Sequence, residues 1–208
     1  MKTFLSKTIV MWYKRLGFAG AARWRLLYWT YKIWPGLHIR HKEWDWVLEY
    51  LPTLGKWQNV TVFDVGSTSS LFIYETMRRG YITIGSDIKD YQEKIKPTLM
   101  YVFIKHDITT DPRRIMARYN PFDFITCISV LEHIPCEKQA DAVKNMLTLL
   151  KTGGRLLLTI PTKEYAQGHP WSGFTYNLIT EAILNKKDGH ILEYTERAGQ
   201  ICVVIGKT

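Results

Sequence analysis

Four places in this chain gather groups that can hold a ligand or move a proton, and each follows a short apolar run. Phe63-Asp64-Val65-Gly66-Ser67-Thr68-Ser69-Ser70 sets a carboxylate, a glycine and several hydroxyls within eight residues. A glycine here lets backbone and ligand approach closely, and Ser69 or Ser70 can cap a following helix, whose first N–H groups are unpaired. Asp87 stands 21 residues after Gly66, a place from which a carboxylate can accept hydrogen bonds from both ribose hydroxyls of an adenosine ligand. Its plainer use would be as the N-cap of a helix opening at Ile88-Lys89-Asp90. His106-Asp107-Ile108 brings a third acid, and Ser129-Val130-Leu131-Glu132-His133-Ile134-Pro135 brings an acid–His pair. Three such endings after one glycine turn exceed what structural capping needs.

The elements that must position these groups alternate strand and helix. Apolar runs predict strands at Val60–Asp64, Tyr81–Ile84 (running out to Asp87), Tyr101–Ile104, Phe122–Val130, Arg155–Ile160, Ile191–Thr195 and Ile201–Ile205. Helical periodicity predicts Leu71–Arg79, Asp111–Tyr119, Glu137–Leu150 and a helix around Leu178–Leu184, with Gly153-Gly154 closing the third. Such alternation implies an α/β fold: a doubly wound, mostly parallel, Rossmann-like sheet of seven strands, antiparallel at its C-terminal end and preceded by N-terminal helices. Ligands of such sheets sit outside the carboxyl ends of the strands, where the four groups fall.

In combination these segments resemble the class I S-adenosylmethionine-dependent methyltransferases. Phe63-Asp64-Val65-Gly66 is similar to that superfamily's first motif, and Gly85-Ser86-Asp87 to its ribose-binding second strand end. His106-Asp107-Ile108 resembles the adenine-contacting acid, Phe122-Asp123 through Glu132-His133-Ile134 the fourth-strand motif, and Leu150–Pro161 the turn and fifth strand. The resemblance spans residues 60–206. It implies S-adenosylmethionine as cofactor, held by Asp64, Gly66, Ser67, Ser70, Asp87, Ile88, Asp107, Ile108, Ser129 and Val130, and it implies no metal. The family turn usually carries glycines where Thr68 and Ser70 stand. Some branches have a Gly-Ser-x-x-Ser form instead, with a Tyr after the second acid as Tyr91 is here; several of these act in glycan or envelope synthesis.

In-line methyl transfer asks the protein for alignment and a dry cleft, and for a base where the acceptor is a hydroxyl. His133 is the candidate base. The loop 161–171 is polar and aromatic, and Tyr165, His169 and Trp171 are candidates for the acceptor side. Pro135-Cys136 imitates the nucleophile pair of cytosine-C5 enzymes, but it follows Glu-His-Ile and opens a helix, so chance accounts for it.

Charge sets the start of the chain apart. Residues 1–60 hold ten Lys/Arg against three acids, which is +7 of the total +9, and seven of the eight Trp. Leu5, Ile9, Trp12 and Leu16 share one helical face, and Trp24, Leu27, Tyr28 and Tyr31 make a second stripe before Pro35-Gly36. The organisation expected is a basic helical extension over 1–57 and a cofactor-binding domain over 58–208. The extension either packs on the domain or meets an anionic membrane surface through residues 1–34, with nucleic acid a weaker partner. No apolar run reaches 18 residues, which excludes an ordinary span. Three widely spaced cysteines fit neither a disulfide framework nor a zinc site and indicate a reducing compartment, the cytoplasm, with the inner face of its membrane as the docking surface. The leading expectation is a methyltransferase for a small-molecule, glycan or lipid-linked acceptor, by O- or N-methylation. An RNA or protein methyltransferase and a non-catalytic binding protein of the same fold are the alternatives.

Overall fold

The computed structural model describes residues 41–55, 58–67, 72–91, 97–162, 189–197 and 199–208. The elements are α1 (His41–Glu49), β1 (Thr61–Val65), α2 (Phe72–Arg78), β2 (Ile82–Asp87), β3 (Tyr101–Lys105), α3 (Arg113–Met116), β4 (Phe122–Ile128), α4 (Cys136–Leu149), β5 (Leu150–Pro161), β6 (Gly189–Arg197) and β7 (Gln200–Lys207). The strands form one sheet in the order β3-β2-β1-β4-β5-β7-β6. The first five are mutually parallel, while β7 runs antiparallel to both β5 and β6. Strand order reverses between β1 and β4, which creates the crevice where such sheets take ligands.

The core follows from strand composition. β1 and β4 lie in the middle and are buried over most of their length, as continuous apolar runs require when both faces are covered. β6 is an edge strand, and its residues alternate between half-buried and exposed. On α4 the buried set Gln139, Ala142, Val143, Met146 and Leu147 recurs at three- and four-residue spacing, which lays one stripe on the sheet.

Several boundaries differ from the sequence expectation. β4 ends at Ile128 instead of Val130, because Ser129 takes φ 49° and turns the chain out of the sheet. Gly153-Gly154 does not separate helix from strand; β5 begins at Leu150 and passes through both glycines, with a register shift against β4. α3 is one short helix behind Pro112, not a helix from 111 to 119. No helix opens at residues 88–90. The stripes of residues 1–34, the helix expected near Leu178–Leu184, and Ser70, Tyr165, His169 and Trp171 lie outside the described residues.

α1 falls within the basic segment yet belongs to the packing of the sheet. Trp44, Trp46, Val47, Leu48 and Leu51 are buried in one cluster with Val62, Phe72, Tyr81, Leu157 and Val204. Arg79 Nη1 donates to the carbonyl oxygens of Leu48 at 2.6 Å and Leu51 at 2.5 Å, closing the helix end with a cation. Tyr81 Oη donates to Pro52 O at 2.8 Å. At the other flank Tyr50 Oη donates to Glu193, and Arg197 Nη1 lies 2.9 Å from Glu49 Oε1. Burial and the neighbouring Glu193 carboxylate push the Tyr50 phenol up to about 12, so it stays a donor. No helix among the described residues is long and apolar enough to cross a membrane.

Candidate active site

A cleft of about 310 Å3 opens at the carboxyl ends of β1, β2, β3 and β4. Gly66, Asp87, Ile88 and Asp107 line it, and so do Ile108, Ser129, Val130 and His133. Eight of the residues singled out from sequence therefore meet around one space. Asp64 and Ser67 do not reach the wall. Asp64 is buried and accepts a 2.6 Å hydrogen bond from Thr126 Oγ1, which ties β1 to β4 beneath the cleft. Ser67 is buried, and its N–H donates to Ser86 O at 2.9 Å across to β2. Both support the floor, Asp64 through its side chain to β4 and Ser67 through its backbone to β2.

The two carboxylates of the wall are set in the same way. Asp87 Oδ1 accepts the Lys89 N–H at 2.9 Å. Asp107 Oδ1 accepts the Thr109 N–H at 2.9 Å and its hydroxyl at 2.8 Å. Each acid thus folds its own loop through one oxygen. In neither does Oδ2 have a hydrogen-bond partner among the described residues, leaving an acceptor at the cleft for a ligand hydroxyl or amino group.

The glycine turn explains the backbone approach. Gly66 has φ 67°, and a Cβ built on it would lie 2.4 Å from Val130 Cγ2. Only a hydrogen fits between this turn and the β4 loop. Ile88, 62% exposed, and Ile108, buried, both line the cleft. An open isoleucine beside unused carboxylate oxygens suits a flat, partly apolar ring bearing a polar edge.

Two amides of α4 hold the loops that carry these residues. Asn145 Nδ2 donates to Ile108 O and Thr110 O, both at 2.8 Å, and so fixes the loop after β3. Gln139 Nε2 donates to Leu131 O at 2.9 Å and Ile134 O at 3.0 Å, gripping the 3-10 turn Leu131–His133. That turn presents His133, exposed, on the cleft wall.

Residues that sequence reasoning passed over as site members also line the cleft: Lys89, Tyr91 and His106. Tyr91 packs edge-on against Phe103, with ring centroids 6.1 Å apart. Burial holds the His106 imidazole below its ordinary value; Asp107 opposes this and Arg114 reinforces it. The signal for His106 was its position next to Asp107. Glu43 of α1 had none. It is buried and accepts hydrogen bonds from Ser129 Oγ and, at 3.0 Å, from Thr159 Oγ1. It therefore anchors the left-handed Ser129 at the edge of the cleft, from a residue 86 positions away.

Cys136, at the start of α4, is exposed and is not on the cleft wall. Cys127 is fully buried, and burial raises its thiol well above the ordinary value. Neither can serve as a nucleophile in this cleft.

A family model described as a methyltransferase domain matches residues 37–198. Among solved structures, the chain is similar to magnesium protoporphyrin IX methyltransferase from Synechocystis with bound SAM, at TM-score 0.60 and 18% identity over 80% of this chain and 79% of that one. It is also similar to the N-methyltransferase NodS from Bradyrhizobium japonicum, at TM-score 0.61 and 13% identity over 81% and 96%. A TehB-like SAM-dependent methyltransferase from Corynebacterium glutamicum gives TM-score 0.63 and 15% identity over 90% and 96%. At these identities the likeness is one of fold. Compared with curated protein sequences, the chain matches none.

Proposed function

This chain belongs to the methyltransferase-domain family, class I and S-adenosylmethionine-dependent, and from that premise we propose that it methylates a small-molecule acceptor at oxygen or nitrogen. The observation that carries the reading is the pair of Oδ2 atoms on Asp87 and Asp107, without hydrogen-bond partners among the described residues, beside the Gly66 turn at the switch point. The residues fit the cofactor: Asp87 would accept from the ribose hydroxyls, Asp107 from the adenine amino group, and Ile88, Ile108 and Val130 would cover the ring. Ser67 and Asp64 hold the turn from below, and Ser70 would extend it toward the methionine end. When bound, S-adenosylmethionine supplies an electrophilic methyl group on a sulfonium, and the protein adds alignment and exclusion of water.

His133 accepts the proton of an acceptor hydroxyl, from a turn that Gln139 keeps in place. Tyr165 and His169 are the further acceptor-side residues of this proposal, by their place in the sequence after β5. Acceptors linked to glycan or lipid fit the Gly-Ser-x-x-Ser turn and the basic, Trp-rich residues 1–34, which would bring the enzyme to an anionic surface. Vesicle sedimentation tests that part: a chain lacking residues 1–34 that binds phosphatidylglycerol vesicles as well as the full chain refutes it.

The central test is calorimetric titration of S-adenosylmethionine and S-adenosylhomocysteine into the full chain, with Asp87→Ala beside it. Saturable binding that falls at least tenfold in the variant supports the reading. Binding that ignores the variant, or no binding by the intact chain, overturns the placement of the cofactor.

A further inference from the structure

A second cavity, of about 380 Å3, lies at β3, the edge strand opposite β6, on the side of α3. Its charged wall is Lys105, Arg114 and Arg118, joined by the His106 imidazole, Tyr119 and Pro97. None of its ten lining residues is acidic.

Some basic side chains among the described residues form ion pairs, and others, Lys138, Lys144 and Arg155 among them, form none there. Arg78 and Arg79 pair with Glu75, Arg113 with Asp111, Lys151 with Asp123 and Arg197 with Glu49. Lys105, Arg114 and Arg118 have no ion pair or side-chain hydrogen bond among the described residues, although Arg113 next to them finds Asp111. Three like charges gathered in one concavity repel one another and focus a positive field into it. The Arg114 charge reaches His106, since it helps to hold that imidazole below its ordinary value. His106 Nε2 is itself buried without a hydrogen-bond partner. Three cations without an ion pair among the described residues, around a hollow with no acidic residue in its lining, are the complement of a multiply charged oxyanion.

We propose that this cavity is a second binding site, separate from the cofactor cleft, for a small diphosphate-bearing molecule. Two guanidinium forks and an ammonium match the oxygens and charge of a diphosphate better than those of a single carboxylate. Tyr119 and Pro97 give the organic part of such a molecule an apolar wall. The basic lining is confined to one hollow of about 380 Å3 at β3, which favours a compact anion over a nucleic acid strand. The site does not depend on methyl transfer, although His106 borders both cavities.

Calorimetry of the full chain with sodium pyrophosphate, at constant ionic strength, tests this. The comparison is Arg114→Gln/Arg118→Gln, a pair of exposed positions outside the cofactor cleft, with circular dichroism to confirm folding. One saturable site is expected, weakened about tenfold or more in the double variant, as the loss of charged hydrogen bonds implies. S-adenosylhomocysteine, titrated into the same samples, should bind wild type and variant equally. No saturable pyrophosphate binding by the intact chain, or equal binding by the double variant, overturns the proposal. So does a 12-nucleotide RNA that binds more tightly than pyrophosphate and is not displaced by it. A chain that takes pyrophosphate but not S-adenosylhomocysteine keeps this site and loses the cofactor reading; the reverse result does the opposite.

Discussion

Gly66→Ala isolates the contact on which the cleft is built. Gly66 has φ 67°, and an added Cβ would stand 2.4 Å from Val130 Cγ2 and 3.1 Å from Cγ1. A left-handed backbone costs an L-residue about 1–2 kcal/mol. Displacing a stiff β-branched side chain adds about 1–3 kcal/mol of overpacking, so Gly66→Ala should destabilise the chain by about 2–5 kcal/mol. Equilibrium urea unfolding reads this as a lower midpoint with an unchanged slope. The two contributions separate in a double-mutant cycle. In a Val130→Ala background the clash disappears but the left-handed turn remains, so adding Gly66→Ala there should cost only about 1–2 kcal/mol. S-adenosylhomocysteine affinity should fall in Gly66→Ala and recover in part in the double variant, because both residues line the cleft. A single variant within about 0.5 kcal/mol of wild type, the range of ordinary surface substitutions, would refute the turn. Equal costs in the two backgrounds would refute its contact with Val130.

The α4 amides should matter beyond their own helix. Asn145→Ala leaves the buried Ile108 carbonyl without this donor and frees the part-buried Thr110 carbonyl, and about 1–3 kcal/mol of lost stability together with weaker S-adenosylhomocysteine binding is expected, checked by urea unfolding and calorimetry. Glu43→Ala removes the acceptor of the Ser129 and Thr159 hydroxyls and should cost about 2–4 kcal/mol, with Glu43→Gln milder because one oxygen remains. His106 is held below its ordinary 6.5 by burial, so the unfolded chain binds its proton first. Its contribution to stability is therefore complete above about pH 6.5 and is lost as pH falls through the lower folded value. Urea midpoints between pH 7.5 and 5 should fall less steeply in His106→Gln. Ellman's reagent should modify the exposed Cys136 rapidly in the native chain, while Cys127 and Cys202, buried and with the Cys202 thiol pushed up to about 12, react only on unfolding.

What could be read from the sequence is what a short window carries. Each strand end of the crevice announces itself locally: an apolar run stops and an acid, a glycine or a histidine follows. Gly66, Asp87, Asp107 and His133, each marked in this way, line one cleft. Ser129 was mistaken for strand because the apolar pattern continues to Val130 and nothing in a serine marks a left-handed backbone. Gly153-Gly154 reads as a stop because paired glycines usually end helices, while here Gly153 supplies a left-handed φ of 76° and Gly154 a close approach: a Cβ on Gly154 would lie 3.0 Å from Asp123 O on the neighbouring strand.

The site residues that stayed hidden have their partners far away along the chain. Asn145 and Gln139 look like ordinary polar positions on an amphipathic helix until the carbonyls of Ile108, Thr110, Leu131 and Ile134 are brought to them. Glu43 is a harder case. It is the first acid in a strongly basic, Trp-rich stretch, and that composition reads as a surface device, since burial and membrane contact both call for tryptophan. What decides between them is whether the charges have internal partners, and for α1 they do: Glu43 meets Ser129 and Thr159, Glu49 meets Arg197, and the helix end meets Arg79. A buried carboxylate held by hydroxyls from β5 and the β4 loop makes the helix part of the site's support. Variants of α1 should therefore disturb the cleft through Ser129 and leave Asp107 untouched. Comparing the chemical shifts of these two residues in Glu43→Gln measures that difference, and equal perturbation of both would mean that α1 acts only on global stability.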